Sequence, residues 1–384
     1  MGCNKSASHE VLLVGRDVPC ARRPMPAGCA LLWGPGATGC CPGTSAGRSR
    51  TLSGSLAGVV QRALAMAFWD AYLASLKPRE VEEPIDYWLH RPLGYIVARL
   101  SDPTPLTPNL ITVGSILLGW AAAACLVVEF PHHHLVGGAL ILASTVFDCA
   151  DGQLARMRKS SSVWGRMLDG SADTLVLLAV VPVTLWRIWQ RIHEPTWLGV
   201  AALALGVLSV ITSGWQTLLY DYYKNAWARF TTSTYTEGET HAAARARHEA
   251  ELPRMSTIQR MASWLYLVQT RSVDDIVRRF DPQGGFERIP PWSPETEAIY
   301  RRHQARPWAL CRSYCGVGTL MFGLALFNAI DLPEVYLVVR LLVFHPVTWL
   351  ILRPLQQRAT AATNADLDAL AARPAAGPQA TAHP

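Results

Sequence analysis

Between Leu110 and Leu352 the chain repeatedly runs long enough without charge to cross a bilayer, and two of these runs meet in a cluster of aspartates. Leu110–Val128 is 19 residues with no charge. Leu135–Phe147 leads directly into "DCADGQLARMRKSSSVWGRMLDGSAD", residues 148–173, and Thr174–Trp186 leads out of it. Trp197–Leu219 is clean over 23 residues, Ser313–Ile330 is a fifth run, and Val335–Leu352 is a sixth, interrupted by Arg340 and His345. A helical span takes about 20 apolar residues. The second and third runs reach that length only if the aspartate-bearing turns stay helical. Only 17% of the residues are charged, against about a quarter in soluble domains. The sequence therefore predicts an all-α integral membrane protein with six transmembrane helices.

The flanks set the organisation. Residues 1–65 are rich in Gly, Ala, Pro, Cys and Arg without periodicity, and read as a disordered extension. Its "MGCNKS" start has the form of a myristoylation signal, at odds with an Ala/Arg-rich composition that suggests a bacterial gene. Residues 66–106 read as juxtamembrane. Within them "IDYWLHRPLGYIVARL" (85–100) has apolar residues at helical spacing and predicts an N-terminal interfacial amphipathic helix, with Tyr87 and Trp88 at headgroup level. "TPLTPNLIT" breaks the chain, with Asn109 as the expected cap of the first span. Residues 107–355 form the six-span domain, interrupted at about 224–306 by a helical insertion whose expected role is surface packing. Residues 356–384 read as a disordered tail.

Orientation follows from Lys and Arg in the connections. Arg158, Lys159 and Arg166 lie between the second and third runs, and 224–306 carries thirteen such residues; the opposite connections carry two in all. Both termini and the aspartates are expected on the cytoplasmic side, of a bacterial inner or plasma membrane by composition. The net charge of +6 is mostly this bias and argues for lipid headgroups rather than nucleic acid. The nine cysteines have no framework or metal-ligand spacing. Arg340 is expected to snorkel and His345 to pack.

An ionised carboxylate at the middle of a span costs about 2.5–3.5 kcal/mol on insertion scales. Asp148 and Asp151 share a face at i, i+3, as do Asp169 and Asp173 at i, i+4. The short connection makes their helices antiparallel neighbours whose acidic faces can meet. Four converging carboxylates repel, and hard divalent cations, Mg²⁺ above all, relieve that repulsion while keeping positions open for phosphate oxygens. Acids in a bundle also line ion pathways, so a cation-binding transporter is the reading from another class. Against it, all four lie at one rim and Glu129 is at the far side.

The eight positions Asp148, Asp151, Gly152, Ala155, Arg156, Gly165, Asp169 and Asp173, spaced D-x2-D-G-x2-A-R-x8-G-x3-D-x3-D, resemble the signature of the CDP-alcohol phosphotransferase (CDP-alcohol phosphatidyltransferase) family. The resemblance extends over roughly 85–355 and excludes 1–80; the insertion is longer than in compact members. It implies that Asp148, Asp151 and Asp169 are metal ligands, with Asp173 beside the metals as general base. Two Mg²⁺ or Mn²⁺ ions are implied. Gly152, Ala155, Arg156 and Gly165 would shape the cytidine-diphosphate pocket. The reaction implied moves a substituted phosphate, in first place phosphatidyl from CDP-diacylglycerol, to the hydroxyl of a small polar alcohol, releasing CMP in phospholipid synthesis. CDP-inositol or a CDP-amino alcohol is the alternative donor. A phosphorylated acceptor would need basic partners, for which Arg91, Arg99, Arg158, Lys159 and Arg166 are available. The resemblance also implies a homodimer.

Overall fold

The structure is a computed structural model describing residues 68–76, 78–160, 163–233, 235 and 238–372; the side chains of 163–171, 254, 258 and 262 are outside the description. The expected N-terminal extension, the last twelve residues, and the side chains of Gly165 and Asp169 therefore lie outside the described residues. Among the described residues there is no strand.

The helices are α1 (68–75), α2 (Arg91–Ser101), α3 (Pro108–Val127), α4 (His133–Met157), α5 (Val163–Ile192), α6 (Thr196–Thr231), α7 (His241–Glu251), α8 (Thr257–Phe280), α9 (Pro294–Tyr314), α10 (Val317–Ala329), α11 (Pro333–Val339) and α12 (Arg353–Ala371). Six stretches are long and apolar enough to cross a membrane: α3, α4, residues Ala172–Ile192 of α5, α6, Pro294–Ala329 and Pro333–Ala371. The aspartate-bearing turns stay helical, since α4 carries Asp148 and Asp151 in its interior and α5 carries 169 and 173.

Thr107, not Asn109, caps the first span: its extended backbone lets its Oγ1 accept from the Leu110 N–H. Pro108 follows in the first helical turn, where its missing N–H costs nothing. The preceding loop is held by Arg158, whose guanidinium donates to the carbonyls of Ser101, Asp102, Thr104 and Leu106.

α3 packs against both α4 and α5, whereas α4 and α5 meet only over a short stretch. The opposite side of α4 is covered by α10 and α2. Close approach there depends on glycine. A Cβ on Gly138 would lie 2.5 Å from the Ala325 carbonyl oxygen, and one on Gly94 would lie 2.8 Å from Gln153 Oε1. The predicted amphipathic helix is thus one side of the bundle as well as an interfacial element. Asp86–His90 is a π-helical turn leading into α2. Tyr95 and Ala98 are buried, while Trp88, Ile96 and Leu100 are exposed.

The fifth span is broken at Cys315–Gly316, between α9 and α10. Glu83 closes the new N-terminus, accepting from the Gly318 and Thr319 N–H groups at 3.0 and 2.9 Å. Arg340 closes the new C-terminus, donating to the Tyr314 carbonyl at 2.9 Å and to Ser213 Oγ at 3.0 Å. Both placements suit the helix dipole. Arg340 does not snorkel: it is 1% exposed, and the broken span offers it the Tyr314 carbonyl to bond inside.

Two further corrections concern the parts outside the spans. The insertion is more than a surface covering. Tyr222, Tyr223, Trp227 and Phe230 of α6 join Ile276, Val277 and Phe280 of α8 and Tyr300, Trp308 and Tyr314 of α9 in one buried aromatic cluster. The tail expected to be disordered from 356 is helical to Ala371. Its buried face is polar: Gln356 donates to Gln304 Oε1 at 2.7 Å, Thr360 to Asp281 Oδ2 at 2.6 Å, and Thr363 accepts from Gln304. A helix face of Gln and Thr has no apolar stripe for periodicity to register.

Candidate active site

The motif aspartates reach one end of the bundle by different routes. Asp151 is buried, and Oγ1 of Thr112, on α3, donates to its Oδ2. Asp148, one turn earlier on α4, and Asp173 on α5 are half-buried. The bond from Thr112 ties α3 to α4 at the most buried of the described motif carboxylates. Thr112 was not among the sequence candidates. Its signal is the end of "TPNLIT", five residues past the Thr107 cap and therefore in the second turn of α3.

Gly152 opens the face beside Asp151. Among the described residues, a Cβ there would meet only the Arg156 guanidinium, at ordinary contact distances of 3.5 and 3.8 Å. Arg156 itself is turned toward α1: its Nε donates to the Ser75 carbonyl at 2.5 Å, and Gln153 Nε2 donates to Ser75 Oγ at 3.2 Å. Ala155 is half-buried on the same helix. The wall next to the motif thus includes a segment upstream of every span, which sequence reasoning had assigned no part.

A second charged group borders Asp148. Arg91 donates to Glu82 Oε2 at 3.2 Å and to the Cys149 carbonyl at 3.4 Å. Burial by itself would lower its pKa; Cys149, Glu82, Asp86 and Asp148 outweigh that and hold it well above the usual guanidinium value. His90, fully buried, places Nδ1 2.7 Å from Asp86 Oδ1. Burial, with Asp86 beside it, pushes the Glu83 carboxyl up to about 8. Of the basic residues considered for an acceptor, Arg91 and Arg158 are thus engaged within the protein. Arg99, 54% exposed and 3.8 Å from Asp102, and the exposed Lys159 remain on the surface. The Arg166 side chain is outside the described residues.

The chemistry of the motif donors suits a hard ion: Asp148, Asp151 and Asp173 offer carboxylate oxygens only. Among the described residues no three His, Cys, Asp or Glu side chains are already grouped as a metal site. Asp169, placed by the α5 backbone one turn before Asp173, contributes no described side chain to that search.

Comparison with known proteins bears on the same segment. Residues 105–269 match the family model for CDP-alcohol phosphatidyltransferase. Cholinephosphotransferase 1 of Gallus gallus is 29% identical over 147 residues, covering 36% of this chain and 42% of that protein. The bifunctional IPC transferase and DIPP synthase of Thermococcus kodakarensis is 35% identical over 103 residues, covering 26% of this chain and 22% of that protein. The chain therefore spans less than half the length of both curated relatives. The matched segment runs from the loop before α3 through the aspartate motif and into α8, and over it this integral membrane protein is similar to the CDP-alcohol phosphatidyltransferase family.

Proposed function

We propose that the protein transfers a substituted phosphate from a CDP-activated donor to the hydroxyl of an alcohol, with CMP as the leaving group, and that the donor is CDP-diacylglycerol. The observation that carries this is the motif itself: Asp148 and Asp151 on α4 and Asp173 on α5, around a glycine whose open side faces Arg156. The family supports the reaction class, and the depth of the site, beside an interfacial helix with exposed Trp88 and Leu100, supports a lipid donor.

In this reading Asp148, Asp151 and Asp169 hold Mg²⁺ or Mn²⁺. The bound ions would supply charge for the diphosphate and polarise the phosphorus. Asp173 accepts the proton of the acceptor hydroxyl as it attacks. Thr112 keeps Asp151 turned toward the donor. The side of Gly152 toward Arg156 and the Arg156 guanidinium receive the cytidine diphosphate, with Gly165 and Ala155 as the other small residues of the motif. The Lys and Arg bias of the connections supports a site that faces the cytoplasm. With Arg91 and Arg158 bound internally, a phosphorylated acceptor has Arg99, Lys159 and Arg166 to meet it.

The test is CMP release by the purified full chain from CDP-diacylglycerol with Mg²⁺, screened over inositol phosphate, glycerol 3-phosphate, serine and inositol. One acceptor should stimulate release and so name the substrate. Release from CDP-inositol or a CDP-amino alcohol alone would replace the donor. No release from any CDP-linked donor with Mg²⁺ or Mn²⁺ would overturn the reading. Ion flux in liposomes that is lost on replacing the same aspartates would establish a transporter in its place.

A further inference from the structure

Outside the spans and the pre-span segment, exposed large apolar side chains gather on one element. Met261, Trp264, Leu265 and Val268 of α8 are 60%, 58%, 54% and 46% exposed. Positions 261, 264, 265 and 268 follow the helical repeat and form a single stripe. The opposite face is occupied: Ser263 meets His248 Nδ1 at 2.7 Å and Thr270 meets His241 Nδ1 at 3.1 Å, both on α7. The stripe therefore points away from the rest of the insertion.

Two further observations say what covers it. The first is charge: the half-helix "TIQRMASWLYLVQTRS", 257–272, holds Arg260 and Arg271 and no acid, and both arginines are exposed. Arg271 has only a 4.0 Å ion pair, with Asp275. An apolar stripe edged by arginines matches the layered polarity of an anionic membrane surface. The second is tethering. The Phe280 carbonyl at the other end of α8 accepts from Arg353 at 3.3 Å and Gln357 at 2.8 Å, and the Phe280 ring lies 5.7 Å from Trp349. Trp349 belongs to the sixth span, so α8 starts from the membrane edge. A helix of 24 residues extends about 36 Å from that anchor.

We propose that α8 docks on the surface of the same membrane that holds the spans. Met261, Trp264, Leu265 and Val268 enter the interface, and Arg260 and Arg271 meet anionic headgroups. This is independent of the reaction assigned above. The docked helix gives the insertion a third attachment to the bilayer, besides α6 and α9.

The test places a nitroxide on Leu265→Cys, and separately on Glu249→Cys of α7, in the full chain reconstituted in phosphatidylethanolamine–phosphatidylglycerol vesicles. Signal from native thiols is subtracted using the unsubstituted chain. The Leu265 label should collide with oxygen dissolved in the lipid and be shielded several-fold from an aqueous nickel chelate; the Glu249 label should show the reverse. Replacing Arg260 and Arg271 together by Gln should lower the docked-to-undocked ratio by about fivefold per arginine in these vesicles and leave it unchanged in phosphatidylcholine alone. Equal access of the nickel chelate to both labels would overturn the proposal. Shielding that disappears when the protein is diluted in lipid would assign the stripe to a second copy of the chain and overturn it too. Insensitivity to the arginines in anionic vesicles would remove the headgroup recognition.

Discussion

The aspartate site and the aromatic cluster of the insertion lie on the same protein and are built by opposite means. Around Asp148, Asp151 and Asp173 the helices carry Gly152 and Ala155, and among the described residues a Cβ on Gly152 would meet only Arg156. In the insertion Phe230 and Tyr300 stack at 3.8 Å with 8° between their planes, and Trp308 stacks on both Tyr220 and Trp227. The first arrangement leaves room for a ligand. The second fills the space with rings worth about 0.5–1.5 kcal/mol per pair beyond their buried area. The difference teaches that the small residues around the motif give little packing of their own, while the large rings of the second region supply it there.

The sharpest way to break this comparison is at Asp151. Asp151→Ala removes the most buried of the described motif carboxylates and breaks its bond with Thr112, which keeps the Pro108 carbonyl as acceptor. Turnover and metal-dependent binding of the CDP donor should both be lost, measured as CMP release and as donor retention with and without chelator. Retained donor binding would mean that the metal is held elsewhere.

Asp173→Asn should act differently. The amide keeps the shape of the side chain and accepts no proton at neutral pH, so turnover should fall by about 10²–10⁴-fold. Donor binding with Mg²⁺ should persist. Equal loss of binding in both variants would make Asp173 a ligand rather than the base. Near-normal turnover would remove it from the chemistry.

The contrast predicts a third, smaller effect on activity. Phe230→Ala empties a place in the aromatic cluster and should cost about 3–5 kcal/mol of stability, read from thermal or denaturant unfolding in detergent. CMP release per folded molecule should change little, because Phe230 touches none of the motif residues. Turnover falling in step with stability would show that the two regions are one mechanical unit.

How far each region could be read in advance follows from the same physics. The spans were legible because lipid demands long uncharged runs: α3 matches its run at both ends, and α4 and α6 begin where theirs begin but stay helical beyond them. The motif was legible because its positions are close in sequence and its helical spacing sets their faces. The bond from Thr112 to Asp151 was not, because 39 residues separate them and a threonine in a span start has an ordinary role as a cap. The insertion core was equally hidden: Tyr222, Phe280, Tyr300 and Leu352 are brought together from four helices, and no local pattern links them. Arg340 was misread because snorkelling assumes an unbroken neighbour, and the break at Cys315–Gly316 supplies the carbonyl that holds it inside.

The smallest expected effect sharpens the boundary of the site. A chain beginning at Met66 should insert and turn over as the full chain does, because 1–65 lacks the composition for a core and, among the described residues, contacts with the motif begin within α1. A chain beginning at Pro78 should not. It lacks the Ser75 carbonyl that holds Arg156 and the Ser75 hydroxyl that holds Gln153. A hydrogen bond to a charged group is worth about 1.5–3 kcal/mol, so the guanidinium that borders the open face of Gly152 would lose its anchor. The expected loss is in donor affinity, seen as a raised KM for the CDP donor with kcat less affected. Restoring 66–77 as part of the chain, and not as a separate peptide at equal concentration, should recover it. If the Met66 chain is already impaired, residues before 66 reach the site as well. If the Pro78 chain is unimpaired, Arg156 is positioned by the donor itself, and α1 is only a cover for α4.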